Sequence, residues 1–338
     1  MTSKQRILRL STCLFVLTFL CPNVRADDWK GWMGDERDGV YREMGIIDEI
    51  TPDGLPVKWR KAIGSGYAGP VVADNRVYLF DYEKESGKAF NDPGERANVQ
   101  GTERITALDA ATGNVLWQHS YQCNYSISYP AGPRCSPTVD GEYIYTLGAE
   151  GDLICLQAND GNVIWSVNLK ERFKIESPIW GFASHPLIVT DLLYTSVGGK
   201  GQGVVAFDKR TGKVKWQSLD AKTSYCPLTV ISRGEQPQLI CFHPQGVSSL
   251  DPEDGKIFWN VPVMPDYEMS IASPVVEGNR MYISSIRTEA VMLELLDGTT
   301  PAVKELWRGE PKNAVHCANS TPLFVDGIIY GTDCNDGD

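Results

Sequence analysis

Residues 107–117 read ALDAATGNVLW, and residues 206–216 repeat the same pattern as AFDKRTGKVKW. The final tryptophan of this phrase recurs along the chain. Six such tryptophans are spaced by 43 to 58 residues: Trp59, Trp117, Trp165, Trp216, Trp259 and Trp307. A period of about 40 to 50 residues, with a turn and an aromatic residue in each unit, is typical of a β-propeller.

Each unit begins with a short apolar run headed by proline, as in Ser136-Pro137-Thr138 and Ser273-Pro274-Val275. Proline is tolerated at the head of a strand, where no ladder donor is needed. A second strand is expected after a polar turn, for example from Asn75 to Phe80, and two more follow before the tryptophan. We therefore predict an all-β fold, a β-propeller of four-stranded antiparallel blades, with six blades visible and the last one incomplete.

Glycine in the turn before each tryptophan supplies a residue that accepts positive φ, and neighbouring Asp, Asn or Thr side chains bond locally to the turn. The tryptophan is predicted to pack against the next blade. A buried indole covers about 150 to 250 Å² and contributes roughly 4 to 6 kcal/mol gross. The predicted docking residues are Asp109, Gly113, Trp117, Gly161, Trp165, Asp208, Gly212, Trp216, Asp251, Gly255, Trp259, Trp307 and Trp59.

The phrase Ala-x-Asp-x-x-Thr-Gly-x-x-x-Trp, complete at 107–117 and 206–216, resembles the tryptophan-docking motif of the quinoprotein-like (PQQ-like) β-propeller repeat family. Residues 28–40 and 180–216 also resemble secreted bacterial members. Complete members are expected to have seven or eight blades. The family includes the propeller subunit of the outer-membrane barrel-assembly machinery, and that resemblance implies a non-catalytic binding role.

The first 26 residues have basic side chains, an apolar run from Leu10 to Leu20 and a small-residue cleavage site at Ala26. This pattern predicts a signal peptide, followed by a single propeller domain over residues 27–338 that is secreted or periplasmic and monomeric. The apolar run is too short for a transmembrane segment. The net charge of -11 argues against nucleic-acid binding. Residues 55–59 (LPVKW) are predicted to be a strand that ends at Trp59 but lacks the first three strands of its blade. Because the final unit has only two strands, we expect a C-terminally truncated chain.

The resemblance raises the alternative of an alcohol or sugar dehydrogenase that uses PQQ and calcium. Such enzymes hold the quinone with a disulfide between adjacent cysteines, and this sequence contains neither a Cys-Cys pair nor a Cys-x-x-Cys-His haem motif. A further alternative is a carbohydrate-binding or carbohydrate-active propeller. No catalytic, cofactor-binding or metal-binding residue is predicted. His185 and His316 precede channel-lining strands, but structural roles are favoured for both.

Two stretches interrupt the repeat. The charged insertion from Asp81 to Glu103 is predicted to be flexible. The loop over residues 121–134 is a candidate interface, and the alternative for its tyrosines, as for Trp180 and Phe182, is packing on a neighbouring blade. The candidate interface residues are Tyr121, Tyr125, Tyr129, Trp180 and Phe182. Cys123 and Cys135 flank the loop, either as a disulfide or as two independent buried thiols. The main hypothesis is a non-catalytic propeller that binds an envelope protein or an extended ligand and carries no cofactor.

Overall fold

The computed structural model describes residues 27–45, 47, 49–233, 236–310 and 312–332. The predicted signal peptide and the acidic tail from residue 333 lie outside the described residues, and so does Cys334.

The described residues form five antiparallel sheets, or blades, each built on four consecutive strands, and a sixth sheet of two strands. Blade 1 consists of β1 (Val71–Ala73), β2 (Arg76–Gly87), β3 (Ala97–Asp109) and β4 (Val115–Gln122), with β5 (Tyr125–Ile127) added to β3. Blade 2 consists of β6 (Thr138–Asp140), β7 (Tyr143–Leu147), β8 (Asp152–Gln157) and β9 (Val163–Asn168). Blade 3 consists of β10 (Leu187–Val189), β11 (Leu192–Ser196), β12 (Val204–Asp208) and β13 (Val214–Ser218).

Blade 4 consists of β14 (Thr229–Arg233), β15 (Gln236–His243), β16 (Gly246–Leu250) and β17 (Ile257–Val261). Blade 5 consists of β18 (Val275–Glu277), β19 (Arg280–Ser284), β20 (Ala290–Leu296) and β21 (Ala302–Gly309). The two-stranded sheet contains β22 (Leu323–Val325) and β23 (Ile328–Tyr330). A short helix, α1 (Leu169–Phe173), follows β9, and a 3-10 turn covers Asp266–Glu268.

The first strand of each sheet is the innermost one, and the chain then moves outward strand by strand. Neighbouring innermost strands contact one another: β1 lies beside β6, β6 beside β10, and β18 beside β22. In all five complete blades the pairing of the third and fourth strands shifts by one residue just before the tryptophan. Such a bulge re-aims the side chain that follows it. The predicted propeller of four-stranded blades is confirmed.

The docking tryptophans join consecutive blades as predicted. The Trp165 indole Nε1 donates to the Lys209 carbonyl oxygen at 2.9 Å, and a Cβ added to Gly212 would lie 2.7 Å from the same ring. The same contact recurs in three other places. It joins Trp59 to Ala110 and Gly113, Trp117 to Ala158 and Gly161, and Trp216 to Pro252 and Gly255. Glycine is needed because the indole occupies the space of a side chain.

Two tryptophans depart from this pattern. Trp259 is buried but donates to the Gln238 side chain of its own blade at 2.9 Å. Trp307 is 42 % exposed, consistent with the insertion in its motif. The predicted strand ending at Trp59 is wrong for the described part of the chain, where residues 55–59 pair with no other strand although the indole itself docks. The fourth strands also continue beyond the tryptophan, as β4 does to Gln122.

The insertion from Asp81 to Glu103 was expected to be flexible, and this expectation is wrong. Most of it extends the β2–β3 hairpin, and both Asp81 and Glu103 are buried. Arg104 forms a fork with Asp81, with Nε to Oδ1 at 2.8 Å and Nη2 to Oδ2 at 2.9 Å. Asp81 and Glu83 are therefore paired with Arg104 and Glu103 is enclosed, whereas other charges of the hairpin, such as Lys88 and Glu95, remain exposed.

Glu103 fastens blade 1 to blade 2. Its carboxylate accepts hydrogen bonds from the Tyr121 hydroxyl, from the Tyr125 hydroxyl at 2.5 Å and from the Ala149 backbone N–H at 2.9 Å. Burial raises the pKa of Glu103 to about 7, although these three hydrogen bonds act in the opposite direction. Glu103 is therefore a titratable contact between two blades.

The N-terminal part of the described chain, here called the plug (residues 28–41), lies against the innermost strands. Trp29 and Val72 exchange two backbone hydrogen bonds of 2.7 and 2.9 Å, which attaches the plug to β1, and another backbone bond attaches it to β6. The Arg37 guanidinium donates to the Pro186 carbonyl oxygen at 3.0 Å, just before β10. The plug thus occupies the axis side of the first three blades.

Replacing Trp165 by alanine should lower the free energy of unfolding by about 3 to 5 kcal/mol, because the contact between blades 2 and 3 is lost. The matched control is Trp307→Ala, which changes an exposed indole at the same motif position and should cost under about 1 kcal/mol. Urea unfolding followed by circular dichroism measures both. Equal losses in the two variants would show that docking is not the origin of the stability.

Gly212→Ala should be more destabilising than Gly141→Ala, although both glycines have positive φ, 67° and 58°. Nothing lies within 4 Å of a Cβ at Gly141, so that change costs only backbone strain of about 1 kcal/mol. At Gly212 the Trp165 ring must also move, which should add about 1 to 3 kcal/mol. Thermal melting of both variants separates the two effects. Matching shifts would contradict the indole contact.

Glu103→Gln should remove a pH dependence of stability. In the folded protein Glu103 stays protonated up to about pH 7, whereas the ordinary pKa of a glutamate is 4.5. The free energy of unfolding should therefore fall as pH rises from 4.5 to about 7. The variant should therefore gain about 1 to 3 kcal/mol relative to wild type between pH 4.5 and 7.5. The exposed Glu95→Gln variant is the control and should follow wild type. The free energy of unfolding is measured against pH for wild type and both variants. If the three curves are parallel, Glu103 is not the origin of the pH dependence.

Candidate functional site

Segments that lead into the innermost strands meet at one end of the axis and line a funnel of about 600 Å³. The lining is mostly aromatic and aliphatic. It consists of Trp32, Tyr67, Pro93, Tyr129, Arg134, Trp180, Ala183, His185, Tyr225, Pro227, Met269, Ile271, Ala272, Asn319 and Thr321. A concave, largely apolar site with a few polar groups is the usual form of a ligand pocket.

Trp180 and Tyr225 form an aromatic pair on one wall of the funnel. Their ring centroids are 5.2 Å apart, and the rings are tilted by 46°. The Trp180 indole Nε1 donates to the Pro93 carbonyl oxygen at 3.1 Å, which fixes the ring to the blade 1 hairpin. Burial raises the pKa of the Tyr225 hydroxyl to about 12, so this group stays neutral. The wall is therefore rigid and uncharged.

Arg134 organises the loops that carry these rings. Its Nε donates to the Trp180 carbonyl oxygen at 2.7 Å, and Nη2 donates to the carbonyl oxygens of Ser128 and Tyr129 at 2.9 and 2.7 Å. The guanidinium also lies over the Tyr67 ring, 5.0 Å from its centroid. With several carbonyl acceptors around it, this half-buried cation acts as a positioning residue that ties three segments of the lining together.

The plug supplies the floor of the funnel. The Trp32 ring lies 5.3 Å from the His185 imidazole, and the Arg37 guanidinium lies 5.5 Å from the Trp32 ring centroid. Burial and the nearby Arg37 charge lower the pKa of His185 to about 3, so its imidazole is neutral. His185 Nδ1 is buried without a hydrogen bond of good geometry in the described part of the chain. The floor is thus an aromatic surface backed by one positive charge.

The structure separates the five candidate interface residues into two groups. Tyr129 and Trp180 line the funnel. Tyr121 and Tyr125 instead bind Glu103, and Tyr125 is buried. Phe182 is also buried, where it packs against Gly151. For Tyr125 and Phe182 the expectation of an interface position is therefore wrong, and the alternative of packing on a neighbouring blade holds. The Tyr125 ring packs in the cluster between blades 1 and 2, and the Phe182 ring packs in the cluster between blades 2 and 3.

The candidate disulfide between Cys123 and Cys135 is not formed, and both thiols are free and buried. The Cys123 Sγ faces the Asp152 carboxylate at 3.8 Å, whereas the Cys135 Sγ faces the Phe182 carbonyl oxygen at 3.8 Å. The two side chains belong to different packing clusters. Burial raises the pKa of both thiols, which disfavours the reactive thiolate.

One group of side chains has the composition of a metal site. Ligand atoms of Glu103, Cys123 and Asp152 lie within 4.8 Å of one another. The Glu103 carboxylate already accepts three hydrogen bonds, and the Asn168 amide donates to Asp152 at 2.9 Å. These donors satisfy the carboxylates without a cation. The group therefore reads as a hydrogen-bonded contact between blades.

The two channel histidines do not come together as one site. His185 lines the funnel, whereas His316 is buried beside blade 5 with its Nδ1 3.1 Å from the Ser285 carbonyl oxygen.

Four residues of the funnel were not predicted from the sequence: Trp32, Tyr67, Arg134 and Tyr225. A usable signal was present, because Tyr67, Arg134 and Tyr225 each stand four positions before an innermost strand. No helix in the described ranges is both long and apolar enough to cross a membrane.

Comparison with known proteins places the chain in a family. A family model described as outer membrane protein assembly factor BamB matches residues 101–338. The dehydrogenase subunit of a quinone alcohol dehydrogenase from Komagataeibacter europaeus is 32 % identical over 217 residues, which cover 59 % of this chain and 26 % of that protein. The matched segment therefore spans about a quarter of the length of this relative.

Two solved structures share the fold. The quinohemoprotein alcohol dehydrogenase from Comamonas testosteroni superposes with a TM-score of 0.54 at 16 % identity, over 85 % of this chain and 50 % of that one. The quinohemoprotein alcohol dehydrogenase ADHIIG from Pseudomonas putida HK5 gives a TM-score of 0.53 at 15 % identity, over 82 % and 48 % of the two chains. The family model covers most of the sequence, and the chain therefore belongs to the PQQ-repeat β-propeller family described as outer membrane protein assembly factor BamB.

Proposed function

We propose that this chain is a non-catalytic binding propeller of the bacterial envelope that seats an extended segment of another protein in the aromatic funnel. The observation that carries the proposal is the lining itself. Trp32, Tyr129, Trp180 and Tyr225 present rigid rings around one cavity, and Arg134 holds the loops that bear them. Aromatic rings of this kind dominate recognition surfaces because they bury a large area with little loss of conformational entropy.

The residues that line the funnel do not fit PQQ with calcium, the cofactor pair that the family resemblance implies. Calcium takes six to eight oxygen ligands, usually including carboxylates. The described lining residues include no Asp or Glu, and their side-chain oxygens come only from tyrosine, Asn319 and Thr321. Adjacent cysteines, which would clamp a quinone, are absent from the sequence. The side chains that line the funnel therefore support a binding role rather than quinone-dependent oxidation.

The envelope location rests on two supports. Residues 1–26 have the pattern of a signal peptide. The family model is described as an outer membrane protein assembly factor, which is a property of that family's named protein. The proposed partner is an envelope protein that binds in the funnel through an extended segment of its chain.

Selection of random peptides displayed on phage, with the purified chain immobilised, tests the proposal. We expect peptides that share an apolar or aromatic anchor. Trp180→Ala should weaken their binding at least about tenfold, since an aromatic anchor contact of this kind is worth about 1.4 kcal/mol or more. Trp307→Ala removes an exposed indole far from the funnel and should leave binding within about twofold. If Trp180→Ala leaves the affinity of the enriched peptides unchanged, the peptides bind outside the funnel and the proposal is wrong.

A second measurement addresses the dehydrogenase alternative. The chain is incubated with PQQ and Ca²⁺, dialysed, and examined for retained quinone absorbance and for dye reduction with alcohols or sugars. We expect no stoichiometric retention and no dye reduction, because the lining lacks the carboxylates that would hold the cation. Retained quinone together with alcohol-dependent dye reduction would overturn the proposed function.

A further inference from the structure

A second cavity adjoins the funnel on the same face. This outer pocket has a volume of about 490 Å³ and is lined by Ile175–Ile179, Gly198–Gly199, Lys222–Thr223 and Tyr267–Glu268. Tyr225 belongs to both linings, so the two cavities adjoin at this residue. The funnel and the outer pocket are together called the groove.

The outer pocket is acidic where the funnel is not. Glu268 forms an ion pair with Lys222, which neutralises one carboxylate. Glu176 is exposed and makes no ion pair with any residue of the described ranges, so the lining holds two carboxylates against the one ammonium group of Lys222. The funnel, in contrast, has Arg134 in its lining and Arg37 beneath its floor. The groove is therefore neutral or positive at the axis and negative at its outer end.

The outer wall carries two strained residues in succession. Tyr267 and Glu268 have φ values of 53° and 62°, a conformation that side-chain-bearing residues rarely adopt. Backbone hydrogen bonds from Met269 to Asp266 and from Ser270 to Glu268 hold this turn. The Tyr267 side chain is 66 % exposed, so the turn presents a large aromatic ring to solvent beside the pocket. Strain of this kind is concentrated at ligand-binding segments.

We infer that the groove binds an extended peptide that places a lysine or arginine against Glu176 while its apolar anchor occupies the funnel. This inference rests on the proposed function and adds the charge of the partner. An extended chain advances about 3.3 Å per residue, so a basic residue two to four positions from the anchor can pass Tyr225 and reach the outer pocket. A peptide with an acidic residue at that place would meet the unpaired Glu176 carboxylate and bind less well.

The test uses the peptides enriched by display, synthesised with Lys, Ser or Glu at the position two to four residues from the anchor, and fluorescence anisotropy at low salt. The expected order of affinity is Lys over Ser over Glu, with about a threefold to tenfold difference between Lys and Ser that shrinks in high salt. Glu176→Gln should abolish this preference. The control Glu171→Gln removes an exposed charge of the same sign on α1 and should preserve it.

The outcomes separate the two levels of the proposal. If no peptide is enriched, or if Trp180→Ala leaves the affinity of the enriched peptides unchanged, the proposed function fails and the inference fails with it. If peptides bind through Trp180 but the Lys, Ser and Glu forms bind equally, only the inference is overturned. The same holds if Glu176→Gln leaves the preference for Lys intact. Because Glu176 is exposed, the substitution should not disturb folding, and a thermal melt matching wild type verifies this.

Discussion

An indole lying on a glycine turn of the next blade is the contact on which the rest of the structure depends. Trp165 covers Gly212 and donates to the Lys209 carbonyl oxygen, so one side chain supplies apolar burial and one directed hydrogen bond. Repetition of this contact fixes the angle between successive blades. The segments that connect the blades are thereby held in place, and those segments carry the rings of the funnel. The recognition proposed at the axis would therefore depend on the contacts between blades at the periphery.

The blades were predictable because their signals are local and repeat. Asp109 and Gly113 shape a turn within five residues, and the bulge before Trp117 follows from the same short phrase. The errors arose where partners are distant in sequence. Residues before Trp59 read as a strand, yet they find no pairing partner among the described residues. The charged insertion read as flexible because the enclosure of Glu103 by the next blade has no local signature.

The funnel was only partly predictable for the same reason. Tyr129 and Trp180 stood out as aromatics in irregular segments, and both line the cavity. Phe182 looked equivalent to Trp180, but Gly151 of blade 2 leaves room for its ring in the core. Arg134 could not be identified from sequence, because its partners are backbone carbonyls that every residue possesses. The floor depends on a plug whose position relative to the blades no repeat pattern encodes.

Two groups of tryptophans thus have different roles in this account: Trp117, Trp165 and Trp216 dock on the next blade, whereas Trp32 and Trp180 line the funnel that is proposed to bind a ligand. Fluorine NMR of the chain labelled with 5-fluorotryptophan, titrated with an enriched peptide, tests this division most directly. The account predicts that the resonances of Trp32 and Trp180 shift, whereas those of Trp117, Trp165 and Trp216 stay in place. Shifts confined to the docking indoles, with Trp32 and Trp180 unchanged, would contradict it.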